Sequence, residues 1–122
     1  MSFTGILLAE SLRKEAVLDG VPFIVQRMWR RDAGDPAARQ PLTWTFIMFE
    51  VPAASAGLFA ERLSTALTSG PWYCDLHDAD ETIVVFAGQI LRYARGDQHG
   101  RESAEAHART VGVPEVQIDW PE

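Results

Sequence analysis

The residue types best suited to chemistry gather at positions 72–77, where Tyr73, Asp75 and His77 alternate with Trp72, Cys74 and Leu76. Strand side chains point alternately to two faces. An extended backbone here sends Trp72, Cys74 and Leu76 to one side, and a phenol, a carboxylate and an imidazole to the other. An imidazole titrates near neutral pH, and a neighbouring carboxylate favours its charged form. The trio therefore suits acid–base work: His77 moves the proton, Asp75 orients it and Tyr73 donates a hydrogen bond. Residues two apart on one face are about 7 Å apart, so the three would meet on a ligand rather than bond one another along the strand. The plainer alternative is the wet side of an antiparallel sheet.

The other reactive groups are weaker candidates. Cys74 is the only cysteine; it excludes an intrachain disulfide and a Cys-based zinc site, and reads as a small buried hydrophobe rather than a nucleophile. His99 and His107 would lie about 12 Å apart on a helix, too far to share one metal from a single face. No metal and no cofactor is expected. Asp78, Asp80 and Glu81 lack the glycine and the distal glutamate of an EF-hand loop and read as turn carboxylates. Arg95-Gly96-Asp97 spells an adhesion tripeptide, but Asp97 is explained locally as a helix cap. Phosphate-loop, dinucleotide, nucleophile-elbow and zincin motifs are absent from the sequence, which argues against those chemistries without excluding a small enzyme that has no local signature.

These residues need a scaffold. Residues 4–14 fit either a helix or a strand. Asp19-Gly20 signals a hairpin into a strand over 23–29. Residues 31–41, with Gly34, Pro36 and Pro41, form a loop longer than most connections, either a flap or a solvated excursion. Residues 42–50 make the clearest strand: Leu42, Trp44, Phe46 and Met48 form a bulky apolar face, and Thr43, Thr45, Ile47 and Phe49 a mixed one. A strand apolar on both faces is central in its sheet or meets a partner. A helix spans 53–69, opened by Pro52 and closed at Gly70-Pro71. Strands follow over 72–77, 82–86 and 89–93. A last helix runs over 98–111 behind an Asp97 cap, with Ala104, Ala108 and Val111 inward and a Glu105–Arg109 pair outward. Residues 116–118 read as an edge strand. Trp120 either docks on its own sheet or anchors a partner.

Of the 122 residues, 47% are hydrophobic and 23% charged, as in an ordinary globular chain, so we expect a single domain over 1–122. No apolar run reaches the roughly 18 residues of a membrane span, and no signal-peptide pattern opens the chain, so the expected location is cytoplasmic. The net charge is −6, with the acidic excess in the second half, which argues against nucleic-acid binding. Arg27, Arg30 and Arg31 form the one basic cluster, read as a solvated strand end. One lysine and no asparagine beside ten arginines point to a GC-rich bacterial genome, so Arg in place of Lys carries little chemical meaning.

The expected fold is an α+β two-layer sandwich: a mostly antiparallel sheet of five or six strands carrying two or three helices, the two main ones on one face. The opposite face would present Thr43, Thr45, Phe49, Tyr73, Asp75 and His77 to a second subunit (a homodimer) or to a shallow ligand pocket. Three functions follow from this arrangement. The first is a binding or accessory module for a protein or small molecule. The second is a cofactor-free enzyme using Tyr73, Asp75 and His77. The third is an acidic immunity- or inhibitor-type protein for a basic partner.

Overall fold

The computed structural model describes residues 1–121. Six strands and two α-helices follow in the order β1 (Ser2–Leu8), β2 (Ile24–Asp32), β3 (Thr43–Pro52), α1 (Ala56–Ala66), β4 (Cys74–His77), β5 (Glu81–Phe86), β6 (Gln89–Ala94) and α2 (Gln98–Thr110). The strands form one sheet in the order β2-β3-β1-β4-β5-β6, and every pairing is antiparallel. The chain is thus the small α+β sandwich its patterning predicts.

The helices take opposite faces of the sheet, not the single face expected. On β5, Ile83 and Val85 pack with Phe59, Ala60 and Leu63 of α1, whereas Val84 and Phe86 pack with Ala104 and Ala108 of α2. Strand alternation makes these two sets opposite. Phe3, Leu7, Phe49, Val51, Cys74 and Leu76 complete the α1-side core. Apolar residues at helical spacing (Ala56, Phe59, Ala60, Leu63) give α1 its buried stripe. Complete burial of a residue such as Phe59 or Leu63 is worth about 1.5–3 kcal/mol. On α2 the Asp97 carboxylate accepts from the Gly100 N–H at 3.0 Å, as a cap should. The small buried side chains of α2 cover only the β5–β6 end of its face.

Several local expectations are corrected. Residues 4–14 divide into strand β1 and a 3-10 turn at Ala9–Ser11. β1 pairs with β3 and β4, so no Asp19-Gly20 hairpin forms. Gly20 still takes a turn's positive φ of 72°, and Leu18, Val21 and Phe23 pack onto the α1-side core as the chain crosses to β2. Glu105 pairs with Arg101 at 3.1 Å, while Arg109 reaches Glu115 at 2.8 Å. Residues 116–118 are no strand: Glu115–Gln117 is a 3-10 turn. No helix among the described residues is long and apolar enough to cross a membrane.

Gly5 shows how tightly the centre of the sheet is built. A Cβ there would overlap the carbonyl oxygen of Asp75 and come within 2.9 Å of the Phe49 ring. Glycine lets β1 approach β4 closely enough to fix the strand that carries Asp75 and His77.

Candidate functional site

Strand register decides which side chains share a surface. Gly5 pairs with Phe49 and Leu76, and Ile6 with Met48; Thr4 pairs with Glu50 and His77. Asp75 and His77 therefore lie on the face of Ile6, Phe46 and Trp44, opposite Phe49. The mixed face of β3 and the polar face of β4, expected to coincide, are on opposite sides of the sheet. Phe49 is fully buried under α1. Thr45 faces that same side, where its N–H and hydroxyl both donate to the Glu10 carboxylate at 2.6 and 2.9 Å. Partial burial raises the Glu10 pKa, but these donors and the nearby Arg30 outweigh it and hold the carboxyl below its usual range. Thr43 donates to Asp32 at 2.7 Å. None of these three lines a ligand surface shared with Asp75.

The aromatic face of β3 does. Beyond the reach of α2, the α2-side face carries Trp44 and Phe46 from β3, Leu8 and Ile6 from β1, Trp29 and Arg31 from β2, and Trp72 at the approach to β4. Trp72 does not join Cys74 and Leu76 in the α1-side core. Its ring lies 5.6 Å from that of Trp44 instead. Trp29 stacks on Phe46 at 5.1 Å with planes 5° apart. Over this floor runs a groove of about 620 Å³, walled by Ala33, Gly34 and Asp35 at the start of the 33–41 loop on one side and by Tyr73, Asp75 and the tail residues Val116, Gln117 and Asp119 on the other.

Gln40 holds these walls together. It is 3% exposed and uses its whole hydrogen-bonding capacity. Its amide nitrogen donates to the Pro71 carbonyl and to Gln117 Oε1, each at 2.9 Å. Its oxygen accepts from the Asp35 N–H at 2.9 Å and from Gln117 Nε2 at 2.8 Å. Gln40 thus ties the loop to Pro71 and to the tail. Gly34 presses against the floor, and a Cβ there would overlap the Pro41 carbonyl and lie 2.7 Å from Trp44 Nε1. That indole N–H is buried and meets no acceptor among the described residues, an unmet donor beside the groove.

The three sequence candidates take different places. Tyr73 and Asp75 line the groove, whereas His77 does not. The Tyr73 hydroxyl donates to the Gln117 carbonyl and, at 3.3 Å, to an Asp119 carboxylate oxygen. Burial, then the charges of Asp75 and Asp119, push its pKa far above the ordinary value, so it stays a neutral donor. His77 Nδ1 is 3.8 Å from Asp75 Oδ2, too long for a hydrogen bond, and is buried without a hydrogen-bond partner among the described residues, as is the hydroxyl of Thr82, the residue paired with His77 on β5. The Asp75 side chain is 18% exposed, and no hydrogen-bond donor reaches it among the described residues. Cys74 is buried and its Sγ–H donates to the Ile6 carbonyl at 3.4 Å. Burial, then the Asp75 charge, raises its thiol pKa well above the usual range.

Trp120 docks into its own fold instead of facing a ligand or partner. It is 3% exposed, its Nε1 donates to the Tyr93 hydroxyl at 2.8 Å, and its ring meets Tyr73 edge-on at 5.0 Å. Arg101 covers it, donating to the Trp120 carbonyl at 2.9 Å. The tail that Trp120 anchors is the one that walls the groove.

Sequence reasoning missed Trp44, Phe46, Trp72 and Asp119 as groove residues, and Gln40 as the side chain that ties the walls together. The tryptophans read as core, and in part they are. Only strand order turns their shared face outward from the helices. No cluster of three His, Cys, Asp or Glu residues among those described could hold a metal ion. Fold and site together define an α+β sandwich with one helix per face and an aromatic groove on the half-sheet that neither helix covers. Comparison with protein-family models, with curated proteins and with solved structures finds no match.

Proposed function

We propose that this protein is a binding module whose ligand is a small molecule held in the groove above Trp44, Phe46 and Trp72. The observation that carries the reading is a groove over a largely buried aromatic floor (Trp44 7%, Phe46 8% and Trp72 6% exposed) that neither helix covers, walled by a loop and tail that Gln40 ties together. A volume of about 620 Å³ falls within the range of small-molecule sites, and apolar linings with a few convergent polar groups are typical of them. The preset walls reduce the ordering cost of binding.

Ile6 supports a direct test. It lines the groove, is 38% exposed and faces away from the α1-side core. Ile6→Trp should fill the groove without disturbing that core. Small aromatic fragments should quench tryptophan fluorescence saturably in the native protein and not in the variant, with the unliganded variant's Tm within about 4 °C of the parent. Absence of saturable quenching by any fragment refutes the reading. So does a concentration-dependent dimer in sedimentation whose contact buries this face.

A second reading is favoured by one observation, the approach of His77 to Asp75 at 3.8 Å. Asp75 faces the groove with His77 behind it, so a cofactor-free acid–base enzyme could use Asp75 toward the ligand and His77 to tune it. Tyr73 would then donate only after releasing Gln117. This reading expects protons to be taken up or released on ligand binding, measured calorimetrically in buffers of different ionisation enthalpy. Absence of proton linkage between about pH 6 and 8 removes it.

A further inference from the structure

Resting on the groove reading, we infer that the ligand is an organic cation: an amine, guanidine or quaternary ammonium whose apolar body lies on the Trp44, Phe46 and Trp72 floor and whose charge meets Asp75 and Asp119.

The charges around the groove are unbalanced. Three carboxylates line it (Asp35, Asp75 and Asp119) against one cation, Arg31. Asp35 is partly engaged, capping the turn through the Ala37 N–H at 3.0 Å. Among the described residues Asp119 accepts only the long 3.3 Å bond from Tyr73. Asp75 is four-fifths buried and accepts no hydrogen bond among the described residues. A carboxylate drawn out of water without donors is costly, and a cationic ligand would supply them.

The floor points the same way. Aromatic faces attract cations through their quadrupoles, and this one already holds a cation: the Arg31 guanidinium lies 4.8 Å from the Phe46 ring centroid. No carboxylate pairs with Arg31 among the described residues. Arg31 is thus a tethered occupant of the kind of site a free cation would use. Two groups argue for an anion instead, Arg31 itself and the unmet Trp44 N–H. The first is committed to Phe46, and the second lies under Gly34. Neither offsets the carboxylates on the opposite wall, where the one basic neighbour of Asp75 is His77 Nδ1 at 3.8 Å.

The test uses three probes of one shape and different charge: benzylammonium, benzyl alcohol and benzoate, titrated into the intact protein by tryptophan fluorescence. Benzylammonium should bind tightest. Asp75→Asn should weaken it about tenfold or more while leaving benzyl alcohol unchanged. Asp119→Asn, in the exposed tail, should act in the same direction and replaces the first variant if that one does not fold. Arg31→Ala should tighten benzylammonium by about two- to fivefold, because a competitor is removed. If benzoate or benzyl alcohol binds as well as or better than benzylammonium, the inference is overturned and the groove reading stands. If none of the three binds, both fall.

Discussion

Replacing Gln40 by alanine tests whether the groove is held open by one side chain. Gln40 makes four hydrogen bonds, to the Asp35 N–H, the Pro71 carbonyl and both ends of the Gln117 amide. That saturates an amide, which has two donors and two lone pairs. Each such bond contributes about 0.5–1.5 kcal/mol net, and a buried group left unpaired costs about 1–3 kcal/mol. Asp35, Pro71 and Gln117 are only half-buried, so water can reach some of the orphaned groups, and we expect a loss of about 2–4 kcal/mol. For a chain of this size that corresponds to roughly 8–16 °C in Tm. Urea unfolding with an unchanged m value is the assay. The double variant Gln40→Leu with Gln117→Leu should recover part of the loss, because apolar groups leave no unpaired donor or acceptor between the two sites. A Gln40→Ala loss below about 0.5 kcal/mol would refute the argument, since it would mean that the clasp is not formed in solution.

Other consequences can be checked separately. Gly5→Ala forces a methyl group onto the Asp75 carbonyl and the Phe49 ring and should cost about 3 kcal/mol in urea unfolding; a neutral result would mean β1 and β4 are farther apart. Glu10 has a folded pKa below its ordinary 4.5. Its contribution to stability is therefore complete above that value and drains away as pH falls through the lowered one. Between about pH 5 and 3, Glu10→Gln should lose less stability than the parent, and equal losses would exclude the Thr45 tie as the cause. Cys74 should resist a thiol reagent in the native protein and react once per chain in denaturant; fast native labelling would contradict its burial.

Local structure was largely legible in the sequence, and spatial assembly was not. The Asp97 cap, the α1 stripe at Phe59 and Leu63, and the turn at Gly88 follow from short-range rules, and each is found. Gly20 takes the positive φ its turn signal predicts, but whether such a bend joins paired strands depends on what else competes for β1. Here β3 and β4 take both its edges. The candidate site failed in the same way. Alternation within β3 separates Trp44 and Phe46 from Thr45 and Phe49, yet no local pattern says which set shares a face with Asp75. That is fixed by register across β1, where Gly5 joins Phe49 to Leu76 and the neighbouring Ile6 falls on the other side. Gln40 gave no signal, because an amide among loop residues becomes a clasp only when the tail arrives beside it.

The central place of β1 has a consequence for synthesis. Among these strands β1 waits longest for its second partner: Phe3 pairs with Val51 of β3, but Thr4 meets His77 only once β4 has followed. Until β4 emerges, a β1–β3 hairpin would display an unpaired edge with Leu7 and Phe3 unshielded, the kind of edge that recruits foreign strands. At about 5–20 residues per second that interval lasts seconds. Delaying the emergence of residues 53–77 from the ribosome should therefore raise the aggregated fraction in cells, whereas a delay after residue 77 has emerged should not.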